Sequence, residues 1–235
     1  MDAALDELLA RWREHLAAVP EAAEADTAAV IIWPSRDIDG VLALLRHGLA
    51  PRAVIAARPA GRRPGTAVPV DPGVRIRRAG PADLDEVVRL GMETVRFDAH
   101  FGTVIERPET QAALHHEAGE LLAAPDPWVW LAERDGSPFG MLYAERPESA
   151  GWIAPMVQAA PVAYLELMDV LPGERGRGVA AALVAQLHQA ADESGVAVTL
   201  LHYEQLNPLS GPFWHQQGYR PLWTSWEARP ASTLR

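Results

Sequence analysis

A chain of 235 residues that is 49% hydrophobic and 22% charged carries enough apolar material for a packed core, which excludes wholesale disorder. Its 21 basic residues are all arginine and stand against 31 acids, a net charge of -10 with no basic stripe to track a phosphate backbone, so no nucleic-acid partner is expected. The absence of cysteine excludes disulfides, thiolate nucleophiles, zinc–cysteine centres and iron–sulfur clusters, and no apolar run approaches the ~18 residues that span a bilayer.

Met1 to Pro20 is acidic and amphipathic, without the basic-then-apolar order of a signal peptide, so the cytoplasm is the expected compartment. Leu5, Leu8, Leu9, Trp12 and Leu16 recur at helical spacing. Residues 28–33 predict a buried strand, Asp37 a helix cap, Gly48 the end of that helix, and 53–57 a second strand. Residues 59–73 hold too much proline and glycine for either element, which divides the chain into 1–60, a linker at 61–73, and 74–235. The second part opens with the strand 74–78 and a helix from Pro81 whose Leu84, Val87, Val88 and Met92 share a face. A helix over 107–123 follows, then strands 127–134 and 139–145 joined by the hairpin signal Asp135-Gly136. A loop through Trp152 leads to the strand 162–170, a helix over 176–194, a strand 196–202, a helix over 207–217 and a last strand near 219–227. Interleaved strands and helices specify an α/β domain with a mixed sheet.

The two parts share a pattern. Aligning Gly48 with Gly218 sets Ile31 on Leu201, Trp33 on Tyr203, Asp37 on Asn207 and Pro51 on Pro221. Strand, capped helix, glycine stop and strand thus occur twice, either as an internal half-repeat or as the ordinary look of any strand–helix–strand unit.

The stretch Val170-Leu-Pro-Gly-Glu-Arg-Gly-Arg-Gly-Val-Ala-Ala-Ala-Leu183 carries the chemistry. Gly176 and Gly178 let backbone approach a ligand, and the first amides of the helix that follows have no internal partners. Such a terminus suits a pyrophosphate, with Arg175 and Arg177 adding charge at the rim; a plain glycine turn with two solvated arginines is the other reading.

Arg175-Gly-Arg-Gly-Val-Ala180 resembles the Arg/Gln-x-x-Gly-x-Gly/Ala acyl-CoA motif of the GNAT N-acetyltransferase superfamily, with Val170-x-Pro172 and Leu183 placed as in that family. Asn207-Pro-Leu-Ser-Gly-Pro-Phe-Trp-His-Gln-Gln-Gly-Tyr219 is similar to its Asn-x-x-Ala-x-x-Phe/Leu-Tyr-x-x-x-Gly-Phe segment, and 74–84 to its opening strand and helix. The likeness covers roughly 74–230. It implies a mixed, mostly antiparallel central sheet flanked by helices, with residues 1–60 as a small additional α/β segment. It further implies acetyl-CoA as cosubstrate, without a metal. Its pantetheine arm would lie where the strands ending at Val170 and His202 separate, and a bulge near Met168–Val170 would aim the Val170 amide at the thioester carbonyl. The amides of Gly176, Arg177, Gly178, Val179 and Ala180 would hold the pyrophosphate, with Met168, Arg175, Asn207 and Trp214 completing the cofactor contacts. A primary amine, on a small molecule or a peptide, would attack the acetyl carbon directly.

An alkyl amine of pKa about 10.4 is protonated at neutral pH, and freeing it costs about 4.6 kcal/mol, so a carboxylate facing the cleft is needed. Glu166 and Tyr164 share the strand face that the family turns to its active site, and Glu166 is the expected base; an arginine-paired or exposed carboxylate is the alternative. The position after Phe213, often a tyrosine acid in the family, is Trp214, which cannot donate a proton usefully, and His215, Tyr203 and His202 remain unranked substitutes. Phe97-Asp98-Ala99-His100-Phe101 falls where the family meets its acceptor and is expected to line that pocket, with a core phenylalanine pair as its plainer reading. His115-His116 lacks a spaced ligand partner and reads as a wet helix face. Two other functions stay in view: a degenerate domain that senses acyl-CoA or serves as a scaffold, and, from Gly176-x-Gly-x-x-Ala181 followed by Glu204, an NAD-dependent oxidoreductase. The acceptor and the oligomeric state, with a homodimer among the options, are not encoded legibly.

Overall fold

The computed structural model describes residues 2–62, 69–102 and 104–235; within the expected 61–73 linker, 63–68 lie outside the described residues. The elements in chain order are α1 (Asp2–Ala17), β1 (Ala29–Pro34), α2 (Ile38–Arg46), β2 (Ala50–Pro59), β3 (Arg75–Arg78), α3 (Leu84–Ala99), α4 (Thr110–Ala123), β4 (Val129–Arg134) and β5 (Ser137–Glu145). They continue with β6 (Val162–Val170), α5 (Val179–Glu193), β7 (Val198–Glu204), α6 (Ser210–Gln216) and β8 (Arg220–Ala228). Of the ladders described, four are antiparallel (β1 with β8, β3 with β4, β4 with β5, β5 with β6) and one, β6 with β7, is parallel. This mixed, mostly antiparallel pattern departs from the parallel sheet of a dinucleotide-binding fold.

The chain forms two compact units. One comprises Met1–Ala56, His202–Gly211 and Arg220–Arg235, the other Ala57–Leu201 and Pro212–Tyr219. A cut at 61–73 puts all of 74–235 together, yet β8 clusters with the N-terminal segment because it ladders along the whole of β1, from Ala29↔Ala228 to Pro34↔Trp223.

In the first unit the strand order is β1-β8-β2, followed by the end of β7. Leu5 and Leu9 of α1, Ala43 and Leu44 of α2, and Trp226 and Ala228 of β8 make its core. The pattern shared by 28–58 and 201–230 extends to individual hydrogen bonds. At the helix starts the bonds differ: Asp37 accepts from Gly40 N–H, three residues on, and Asn207 from Leu209 N–H, two residues on. The helix ends match: Gly48 N–H donates to Leu45 O and Leu49 N–H to Leu44 O, as Gly218 donates to His215 O and Tyr219 to Trp214 O. Both glycines are left-handed, at φ 83° and 93°, as such a cap demands. Exchanging β1 with β7 and β2 with β8 maps the strand order onto itself.

In the second unit the order is β3-β4-β5-β6, then the start of β7. Val87, Val88 and Leu90 of α3 and Ala118 and Leu122 of α4 share one core with Val129, Leu131 and Met141. Helix α5 covers β4–β6 with Leu183, Val184 and Leu187 fully buried. Arg77 ties β3 to the start of α3 and to β4, through Asp83 at 2.7 Å and Glu133 at 2.8 Å. The hairpin at Asp135-Gly136 has φ 50° and 79°, the left-handed pair that a two-residue turn requires. Two boundaries differ from expectation. Helix α5 begins at Val179, not near 176, because Gly176 and Gly178 sit at φ 76° and 77°, outside helical geometry. Helix α3 runs on to Ala99, so Phe97 and Asp98 are helical and not in a loop.

If the two caps are copies, Gly48→Ala and Gly218→Ala each force an L-residue into the left-handed region. Each should then lower the unfolding free energy by about 1–2 kcal/mol in urea titrations.

Candidate functional site

The site begins with one extra residue. On β5, Tyr143 pairs with Leu167 and the next residue, Ala144, with Leu165, which leaves Glu166 of β6 without a partner opposite it. The bulge therefore lies at Glu166 and not near Met168–Val170 as expected. It resets the alternation, so Glu166 and Leu167 both face the α3–α4 side. The parallel ladder with β7 ends nearby, at Leu165↔Leu201, while β6 continues to Val170. Leu171 N–H donates to Phe139 O of β5, so by alternation the N–H groups of Val170 and Met168 point to the opposite edge of the strand.

Over the bulge lies a cavity of about 380 Å³. Val87, Val88 and Gly91 of α3, Leu114, Ala118 and Leu121 of α4, and Met141 and Leu167 form its apolar walls; Glu117, Tyr143, Glu145, Trp152 and Glu166 are its polar ones. Glu166 is open to this space yet walled by protein. Burial, then the charges of Glu145 and Glu117, push its carboxyl up to about 7. Among the described residues no arginine or histidine lines the cavity. Trp152 Nε1 donates to Glu145 Oε2 at 2.9 Å, and its ring stands edge-on to Tyr164 at 4.9 Å. Tyr164 is buried, and burial with the Glu166 and Glu145 charges raises its phenol well above the ordinary range. Sequence reasoning missed Glu117, Tyr143 and Glu145. The alternation Met141, Tyr143, Glu145 along β5 was the available signal for two of them.

Two residues past the bulge pair, Asp169 has the opposite surroundings. It is 6% exposed, and Arg175 Nη2 lies 3.3 Å from its Oδ1. Burial raises its carboxyl, opposed by Arg175 and by a hydrogen bond from Val170 N–H. Arg175 Nε also donates to Val170 O at 2.6 Å, and its guanidinium sits 4.7 Å over the Phe97 ring. The Arg175 side chain is thus folded back onto β6 and α3 rather than placed at the rim of the glycine loop. Phe97 and Phe101 stack edge to face at 5.4 Å and are not among the cavity walls. Arg177 stays outside, 3.3 Å from Glu174, which Arg134 meets at 2.7 Å.

At the glycine loop, a Cβ on Gly176 would meet nothing within 4 Å, so the loop faces open space and glycine is required there by φ alone. The first bond of α5 runs from Ala182 N–H to Gly178 O, leaving the Val179, Ala180 and Ala181 amides without helical partners at the positive end of a 15-residue helix.

A profile of the acetyltransferase (GNAT) family matches residues 94–219, more than half of the chain. The chain belongs to the acetyltransferase (GNAT) family. No curated protein matches the sequence. Among solved structures, a GCN5-related N-acetyltransferase from Sphaerobacter thermophilus superposes with a TM-score of 0.62 at 16% identity, over 88% of this chain and 62% of its own. This chain therefore spans less than two thirds of that protein. A GNAT-family acetyltransferase from Colwellia psychrerythraea gives 0.57 at 12% identity, over 92% and 70%. Aminoglycoside N-acetyltransferase AAC(6')-Iy, solved with CoA, gives 0.53 at 22% identity, over 66% and 93%. At such identities the likeness is one of fold.

Within this GNAT domain, two residues expected at the cofactor have structural duties. Asn207 is buried, and its Oδ1 accepts from Leu209 N–H at the entry to α6. Trp214 is 6% exposed and packs edge-on against Phe213 and Tyr219, at 4.8 and 5.5 Å. Tyr203 is buried with its phenol raised by burial, His202 is lowered by burial, and His215 is exposed. His116 faces Glu120 at 3.7 Å on the wet side of α4.

Arg175→Ala strands the Asp169 carboxylate and should cost about 3 kcal/mol in chemical denaturation. Adding Asp169→Asn removes that charge and should restore part of the loss; equal losses in single and double variants would contradict the pairing.

Proposed function

We propose that the chain is an acetyl-CoA-dependent N-acetyltransferase that passes an acetyl group to a primary amine by direct attack. The observation that carries this reading is Glu166: a carboxylate made the odd residue of a bulge, facing a cavity that no arginine or histidine lines among the described residues, and raised to about 7. A base with that pKa is half ionised at neutral pH and can take a proton from a bound ammonium, directly or through one water.

The glycine loop supports the other half of the reaction. Its open face, left-handed Gly176 and Gly178, and the unpartnered amides of Val179 and Ala180 fit the pyrophosphate of CoA. Arg177 adds charge from the rim, while Arg175 acts through its side-chain hold on β6. CoA was present in the AAC(6')-Iy structure and in that of the PaiA N-acetyltransferase from Thermoplasma acidophilum. The pantetheine arm follows the edge of β6 that continues past its ladder with β7. There Val170 N–H is drawn to the Asp169 carboxyl, so the Met168 amide, on the same edge, is the better donor to the thioester carbonyl. Both amides are assigned to this contact, with Met168 leading.

In the reaction, Glu166 accepts a proton from the ammonium, the freed amine attacks the acetyl carbon, and the tetrahedral oxyanion rests on the β6 amide. Its collapse breaks the carbon–sulfur bond and releases the thiolate of CoA, which a thiol pKa near ~8.5 lets leave with little help; the remaining extra proton on the nitrogen passes to that thiolate, giving the neutral amide and free CoA. Tyr164, kept protonated by burial and by the Glu166 and Glu145 charges, is the hydroxyl beside the base. Trp214, packed in the core, takes no part in proton transfer.

With an amine acceptor in excess of acetyl-CoA, kcat/KM should rise with pH through about 7, because the ionised carboxylate is the active form. Glu166→Gln should abolish that rise and lower turnover by roughly 100- to 10,000-fold while leaving the CoA dissociation constant unchanged. Calorimetric binding of CoA with no thiol release from any amine would favour the sensor or scaffold.

A further inference from the structure

The cavity at Glu166 is divided in a way that the chemistry of acyl transfer does not require. One side is hydrocarbon: Val87, Val88, Leu114, Leu121, Met141 and Leu167. Val87, Val88 and Met141 belong to the buried core beneath α3 and α4, so this wall is set by packing and offers no hydrogen-bonding group. The other side gathers the carboxylates of Glu145 and Glu166 with Tyr143 and Trp152, and Glu117 stands exposed on α4.

The polar side is itself fixed. Trp152 is 55% exposed, yet its indole is pinned through Nε1 to Glu145 and edge-on to Tyr164. A half-exposed tryptophan held by two such contacts presents a ring face beside two carboxylates, the setting in which an organic cation gains from both charge and the aromatic face.

Building on the acyl-transfer reading above, we propose that the acceptor is an amphipathic amine. Its ammonium is held between Glu166, Glu145 and Trp152, and its aliphatic or aromatic body lies on the Val87–Leu114–Leu121–Met141 wall. A hydroxyl-rich acceptor would have to strip water from its hydroxyls against hydrocarbon that returns no hydrogen bond. One cation beside Glu166 instead favours ionisation of the group that must take its proton.

The test is a set of acceptors with acetyl-CoA, read as kcat/KM by thiol release, beside calorimetry for CoA. The linear amines from n-propylamine to n-hexylamine should gain about threefold to fourfold per methylene until the wall is covered. Phenethylamine should match the longer amines, while kanamycin should fall at least tenfold below n-hexylamine. Leu114→Asn, on the half-buried part of the wall, should flatten the chain-length slope; should that variant fail to fold, the wild-type series decides alone. Acetylation with no chain-length dependence, or with kanamycin preferred, would overturn the amphipathic acceptor and leave the acyl-transfer reading standing. CoA binding with no amine acetylated would overturn that reading as well.

Discussion

The site depends on β6 being one residue longer than β5 across their shared ladder. Between Leu165 and Leu167 the chain must place a residue that has no partner, and that residue is Glu166. In an unbroken strand, Glu166 and Leu167 would point to opposite faces; the bulge puts both into the same cavity. The close of the β6–β7 ladder at Leu165↔Leu201 lies next to it, so the proposed base and the strand edge proposed for the cofactor adjoin one local irregularity.

The same strand shows how surroundings separate two carboxylates only three positions apart. Both are raised by burial. Asp169 is answered by a guanidinium that also grips the Val170 carbonyl and stacks on Phe97, so its charge is structural. Among the described residues the charges that act on Glu166 are those of Glu145 and Glu117, which add to burial in raising its carboxyl, and on this ground it is the group proposed to exchange a proton. Arg175 thereby connects the glycine loop, the end of β6 and the end of α3 in one contact set. The arginine that opens the glycine loop spends its side chain on fixing the strand.

Much of the architecture was legible because its causes are local. The left-handed demands of Asp135-Gly136, Gly48 and Gly218 mark turns wherever they occur, and Val162–Val170 reads as a strand from composition alone. The shared pattern was visible as a faint spacing, and the two helix stops agree in their hydrogen bonds, since a helix stop constrains few residue types. That Glu166 faces a cavity was legible through its distance from Val170. The bulge was not, because a register shift is a property of two strands and one sequence shows only one of them. The side-chain partners of Arg175 and Trp214 were hidden for a related reason: each is decided by what lies within reach, Asp169 and Phe97 for one, Phe213 and Tyr219 for the other. Glu117 and Glu145 come to Glu166 from separate elements; the alternation along β5 points to Glu145, but nothing in its sequence neighbourhood announces Glu117.

The most direct test is a carbon-detected NMR titration of the Glu166 side-chain carboxyl in the ligand-free protein, beside the Glu145→Gln variant. A midpoint near 7, falling when the Glu145 charge is removed, is the predicted result. A midpoint at the ordinary glutamate value of about 4.3, indifferent to Glu145, would contradict it.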